Sequence, residues 1–244
     1  MTLSSSPATT ISDPLCVALD SADPDECRRL ATATQDHVGV FKVGLTAFAA
    51  GGGGLVSELA RRRPVFCDLK LHDIPAQVAG TVGVVASLGA SFVTVHAAGG
   101  AAMVQGAVAA AGEDLVVLGV TVLTSIDEGS LDALGTSGGV RNQVLRLAEL
   151  ALEAGAPGLV CSPLEVEAVR SRFGGRAQGG PILVVPGIRP TGSPGDDQRR
   201  VATPADALEA GADILVIGRP ITSAPDPGAA ARRVSEGLAS PAEP

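Results

Sequence analysis

Leu152-Glu153-Ala154-Gly155-Ala156 returns as Leu208-Glu209-Ala210-Gly211-Ala212, and each copy is followed by a short apolar run. In both, the glycine suits the left-handed residue that ends a helix, so the stretch reads as a helix stopping just before a strand begins. Leu88-Gly89-Ala90 precedes a third apolar run in the same way. Working outward, strand candidates fall near 14–20, 38–44, 64–71, 91–97, 115–124, 158–161, 181–186 and 213–218. Helix candidates lie between and after them, near 24–35, 54–62, 75–88, 100–112, 139–154, 163–172, 204–210 and 227–238. Val140, Val144, Leu147 and Ala151 form one apolar helical face. Ser162-Pro163-Leu164-Glu165 has the form of a capping box with proline at the first helical position, and Thr203-Pro204-Ala205-Asp206 resembles it. Alternating units of about thirty residues predict a parallel sheet, and eight of them close naturally into a single-domain (β/α)8 TIM barrel over residues 13–240. A doubly wound open sheet is the alternative. No Gly-x-Gly-x-x-Gly follows the first strand, and the run Gly51 to Gly54 reads as a flexible loop.

Bulk properties narrow the function. The 244-residue chain carries a net charge of -8, which disfavours nonspecific binding to nucleic acid or an anionic membrane. Aromatic residues make up only 2%, so the core must come from aliphatic side chains, as suits helices on a parallel sheet. Cys16, Cys27, Cys67 and Cys161 have no zinc or Cys-x-x-Cys spacing and read as reduced core residues, the pattern of a cytoplasmic protein. Residues 1–12 lack the basic start and apolar run of a signal peptide and read as a flexible tail. No Asp, Glu, Lys or Arg occurs from Ile74 to Gly112, but Pro75, Gln77, Ser87, Thr94, His96 and Gly99-Gly100 break that segment into pieces too short to span a membrane.

In such barrels the chemistry sits at the carboxyl ends of the strands. Those ends supply Asp20, Lys42, Asp68 with Lys70, His96, Thr124, Ser162, Pro186-Gly187 and Gly218-Arg219. Within 64–71, period-two alternation puts Asp68 and Lys70 on one face and Val65, Cys67, Leu69 and Leu71 on the other. Asp73 follows in an Asp-x-Lys-x-x-Asp spacing. Lysines on apolar strands need carboxylate partners, and Asp20, Asp68 and Asp73 are available to form an alternating array with Lys42 and Lys70. Gly187-Ile188-Arg189 and Gly218-Arg219, after the last two strands, suit a phosphate, with the polar loop from Pro190 to Arg200 as a lid. His96 reads as a hydrogen-bonded core histidine before it reads as a base or ligand. No His/Asp/Glu cluster has metal-ligand spacing, although Asp68 and Asp73 could join a magnesium site.

Asp68-Leu69-Lys70-Leu71-His72-Asp73-Ile74-Pro75 resembles the signature of the orotidine 5'-phosphate decarboxylase family. The resemblance extends over nearly the whole chain, through Ala18-Leu19-Asp20, Phe41-Lys42-Val43-Gly44, Val93-Thr94-Val95-His96-Ala97, Thr121-Val122-Leu123-Thr124-Ser125, Val185-Pro186-Gly187-Ile188-Arg189, Asp196-Asp197-Gln198 and Ile217-Gly218-Arg219-Pro220-Ile221. It implies a homodimeric (β/α)8 enzyme that converts orotidine 5'-phosphate to UMP and carbon dioxide without metal or organic cofactor. By the same resemblance, Lys70 is the proton donor to C6 and Asp68 lies beside the substrate carboxylate. Asp73 and Ile74 complete the partner subunit's site, Lys42 and Asp20 hold ribose hydroxyls, and Thr124 faces the pyrimidine. Pro186, Gly187 to Arg189, Gln198, Gly218 and Arg219 surround the phosphate. One departure stands at Ala76-Gln77-Val78, where many relatives have Asn-Thr-Val, so no substrate contact is carried to Gln77. A magnesium-dependent sugar-phosphate lyase of the same suprafamily shares Asp-x-Lys-x-x-Asp, and a non-catalytic nucleotide-binding barrel is a further alternative; Lys42 and the His72-Asp73-Ile74-Pro75 continuation favour the decarboxylase.

Overall fold

The structure, a computed structural model, describes residues 13–190 and 201–239. Eight parallel strands, β1 (Leu15–Ala18), β2 (Val40–Gly44), β3 (Val65–Leu71), β4 (Phe92–His96), β5 (Val116–Val120), β6 (Gly158–Val160), β7 (Ile182–Val185) and β8 (Ile214–Ile217), close into a barrel in sequence order. Helices α1 (Pro24–Thr34), α2 (Leu45–Ala60), α3 (Pro75–Ser87), α4 (Ala101–Ala111), α5 (Glu128–Ala133), α6 (Gly139–Glu153), α7 (Val166–Phe173) and α8 (Pro204–Glu209) lie in the crossovers, and α9 (Arg219–Thr222) and α10 (Pro227–Ala239) follow β8. The chain is therefore a (β/α)8 TIM barrel, and the open-sheet alternative is excluded by the β1–β8 pairing.

The pleat divides the core in two. Leu15, Val17, Phe41, Val43, Val65, Cys67, Val93 and Val95 face outward beneath the helices. Cys16, Ala18, Val40, Phe66, Phe92, Leu118, Val184 and Val216 face inward and fill the barrel, with Phe66 and Phe92 meeting edge to face at 6.3 Å between ring centroids. Two residues further along most inward rows, the apolar plug gives way to polar or turn residues. Ala18 leads to Asp20, Val40 to Lys42, Phe66 to Asp68, Phe92 to Thr94, Val184 to Pro186 and Val216 to Gly218. A strand parity that buries Val and Phe below thus aims the ionisable side chains into the mouth above.

Two local expectations are corrected. Gly51 to Gly54 lies inside α2, not in a loop, and the helix is interrupted only at Gly52 (φ 56°, ψ −159°). A Cβ on Gly51 would approach Leu55 to 2.8 Å and one on Gly53 would approach Leu88 to 2.9 Å, so at these positions glycine permits close packing. Ser162-Pro163-Leu164-Glu165 forms a short 3-10 turn, Pro163–Glu165, in which the Ser162 hydroxyl donates to the Glu165 carboxylate instead of capping the backbone. Thr203 behaves as anticipated, its Oγ1 accepting from the Asp206 amide at 3.2 Å. The segment 191–200, which includes Gln198 and most of the loop expected to act as a lid, lies outside the described residues, as do residues 1–12. Its flanks are joined, since Arg189 N–H donates to Ala202 O and Ala202 N–H to Gly187 O.

Candidate active site

A cavity of about 670 Å³ opens at the carboxyl ends of the strands, a volume in the range of small-ligand sites. Ala18, Phe66, Val120, Val160, Val184 and Val216 form its apolar floor. Asp20, Lys42, Asp68, Lys70, Thr124, Pro186, Arg189, Gly218 and Arg219, all anticipated from the sequence, line it. Residues around the β1–α1 junction and α9, namely Ser21, Glu26, Thr222 and Ser223, also reach it and had no motif to announce them.

Asp68 sits between the two lysines. Its Oδ1 accepts from Lys70 Nζ at 2.8 Å, and its Oδ2 lies 3.6 Å from Lys42 Nζ. Lys42 Nζ is also 2.9 Å and 3.1 Å from the two oxygens of Asp20. Lys42 is sealed, with 9% of its side chain exposed, whereas Lys70 keeps 30% of its side chain open to the cavity. Burial works against the Lys42 ammonium, but the Asp68 and Asp20 carboxylates outweigh it and raise the group above the ordinary lysine value. Burial likewise works against an ionised Asp68, yet Lys42 and Lys70, with hydrogen bonds from Lys70 and Thr94, hold it below the ordinary carboxylate value. Lys42 and Lys70 are moreover the only lysines in the chain; every other fixed side-chain cation is arginine.

Lys70 itself is held in an unusual backbone conformation. Its φ of 48° is the only positive value at a non-glycine among the described residues. The β3–β4 register explains it: Cys67 pairs with Val93 and Leu71 with Val95, so β3 carries two extra residues opposite one step of β4. Left-handed backbone costs a residue with a Cβ of order 1–3 kcal/mol, and such strain gathers at functional sites.

The remaining member of the expected array stands apart. Asp73 is exposed, its Oδ1 accepts the neighbouring Ile74 amide at 2.6 Å, and neither residue lines this chain's cavity. The β3 bulge and the turn into α3 carry both away, leaving Ile74 64% exposed. His72 and His96 lie side by side at the rim, with ring centroids 5.5 Å apart. Burial, then His72 and Lys70, lower the His96 pKa below the ordinary imidazole value. Among the described residues, no group of three or more His, Cys, Asp or Glu side chains is placed to hold a metal ion. No helix there is long and apolar enough to cross a membrane.

Fold and site together define a (β/α)8-barrel protein laid out as an enzyme, with an apolar plug below and charged groups at the strand ends above. The chain belongs to the orotidine 5'-phosphate decarboxylase / HUMPS family, whose model matches residues 13–234. It is 54% identical over 228 residues to an orotidine 5'-phosphate decarboxylase of Anaeromyxobacter sp. (strain K), covering 93% of this chain and 99% of that one. It is 52% identical to the Thermobifida fusca enzyme of the same name, over 92% and 95% of the respective chains. The crystal structure of orotidine 5'-phosphate decarboxylase from Lactobacillus acidophilus superposes with a TM-score of 0.82 at 34% identity, covering 94% of this chain and all of that one.

Proposed function

We propose that the chain decarboxylates orotidine 5'-phosphate to UMP and carbon dioxide, the reaction of de novo pyrimidine synthesis. The observation that carries this reading is the Asp20–Lys42–Asp68–Lys70 array on the wall of the strand-end cavity, in a chain whose relatives at 54% and 52% identity bear that enzyme's name.

The chemistry follows from charge. When the C6–carboxylate bond breaks, carbon dioxide leaves and the bonding electron pair stays on C6. A site that stabilises this pair more than the departing carboxylate lowers the barrier. Lys70 is the ammonium open to the cavity, and it transfers a proton to C6, forming the C6–H bond and leaving an amine that solvent recharges. Asp68 lies beside the substrate carboxylate and fixes Lys70, while Lys42 and Asp20 hold the ribose. Arg189 and Arg219, after β7 and β8, face the phosphate, whose distant binding energy supports the reaction at C6.

The exposed Asp73 and Ile74, together with Val84 at 59% exposure on α3, support a homodimer in which this edge completes the partner's site. Four free, buried cysteines support a reducing, cytoplasmic setting. The test is turnover of orotidine 5'-phosphate by purified protein in excess EDTA. Undiminished decarboxylation is the expected result; turnover only of a sugar phosphate, and only with magnesium, would transfer the chain to the other chemistry of its family.

A further inference from the structure

Thr94 has no place in the reaction described above, yet its hydroxyl is fully buried among the charges of the site. Its Oγ1 accepts the backbone N–H of Lys70 at 2.8 Å and donates to Oδ1 of Asp68 at 3.1 Å. That carboxylate oxygen is the one that receives Lys70 Nζ at 2.8 Å. One hydroxyl is thus tied to the lysine at its backbone and, through Asp68, at its ammonium. The contact falls within the β3 bulge, where the Lys70 amide would otherwise look for an acceptor on β4. At this step the threonine side chain supplies it.

We propose that Thr94 is a positioning residue that holds Lys70 in its left-handed conformation and orients the Asp68–Lys70 pair toward the substrate. Thr94 is two residues beyond Phe92 on the inward row of β4, at the level where β2 offers Lys42 and β3 offers Asp68. A hydroxyl suits this place because it accepts and donates at once, which an aliphatic side chain of the same shape cannot do. Without it, the Lys70 amide is a part-buried donor that has lost its acceptor, and the bulge gains by relaxing toward ordinary strand geometry. The lysine ammonium then loses its fixed place. The phosphate and ribose contacts, on β1, β2, β7 and β8, stay where they are.

This role rests on the decarboxylase reading, so its test carries one readout that needs no turnover. Because Lys42 and Lys70 are the only lysines, protein labelled with 13C at lysine Cε reports each by NMR. In Thr94→Val, kcat should fall about tenfold to a hundredfold, the scale of leaving a donor unpaired. UMP affinity should stay within about twofold, and the Lys70 signal should shift while that of Lys42 holds. Thr94→Ser, which keeps the hydroxyl, should restore both turnover and the Lys70 signal. Should Thr94→Val fail to fold, Thr94→Ala against Thr94→Ser makes the same comparison. Near-normal turnover with an unmoved Lys70 signal in Thr94→Val, or in Thr94→Ala in its place, or a Thr94→Ser variant as impaired as either, would overturn the proposal. If the wild type itself does not decarboxylate, the functional reading fails, and the Lys70 signals of the variants still decide the positioning role.

Discussion

A Cβ placed on Gly44 would stand 2.3 Å from Oδ1 of Asp20 and 3.0 Å from Nζ of Lys42. The last residue of β2 therefore leaves open the space in which the Asp20–Lys42 pair forms. The backbone at Gly44 (φ −85°) is accessible to alanine, so Gly44→Ala should fold while displacing the half-exposed Asp20 carboxylate. With the pair taken to hold the ribose, KM for orotidine 5'-phosphate should rise about tenfold or more, a loss comparable to one charge-assisted hydrogen bond. Steady-state kinetics beside an unchanged circular dichroism spectrum checks this; an unchanged KM removes Asp20 from substrate binding.

His96 gives the fold a pH dependence near neutrality. Its folded-state pKa is lowered by burial, with His72 and Lys70 adding to the effect and Asp68 opposing it. A lowered folded value means that the unfolded chain takes up the proton first as pH falls. The contribution is therefore complete above the ordinary imidazole value of 6.5 and is lost as pH drops through the lowered folded value. Urea midpoints measured at about pH 8 and about pH 5.5 should fall more steeply for the wild type than for His96→Asn. Lys42 has the opposite sign: its stabilisation is present below 10.5 and disappears as pH rises through the raised folded value. A His96→Asn variant with the wild-type slope would contradict the assignment.

At the amino-terminal end of the barrel, Arg170 ties β7 to β8. Its NH2 lies 2.6 Å from Asp213 Oδ2, which also accepts the Leu183 amide at 2.6 Å, while its other nitrogens donate to Gly211 O at 2.9 Å and Pro181 O at 2.7 Å. Asp213→Ala removes the central acceptor and should cost about 2–4 kcal/mol, seen as a lower denaturation midpoint. Activity per folded molecule should be unchanged, because this clamp lies at the end of the barrel away from the cavity. A large loss of kcat with full stability would show that the two ends are coupled.

Much of this was legible because a parallel barrel writes itself into short aliphatic runs. All eight strands fall inside the expected stretches, and the parity that buries Val40 and Phe66 is the parity that points Lys42 and Asp68 inward. Thr94 obeys the same parity, but a threonine on a strand carries no charge to mark it out. Gly51 to Gly54 misled for a different reason: four glycines look like a loop until Leu55 and Leu88 are found packed against them. Helix α5 left little trace, having one buried residue, Leu131, and an Asp127 cap in place of a periodic face. The Asp73 position depended on a bulge that no local pattern marks, since it arises from pairing with β4.

On the proposed reading, Lys70 delivers the proton while the rest of the site binds. The most direct measurement is the kcat of Lys70→Ala on orotidine 5'-phosphate beside its affinity for UMP. Loss of kcat by several orders of magnitude with UMP binding still measurable is the predicted result; turnover within about tenfold of the wild type would contradict it.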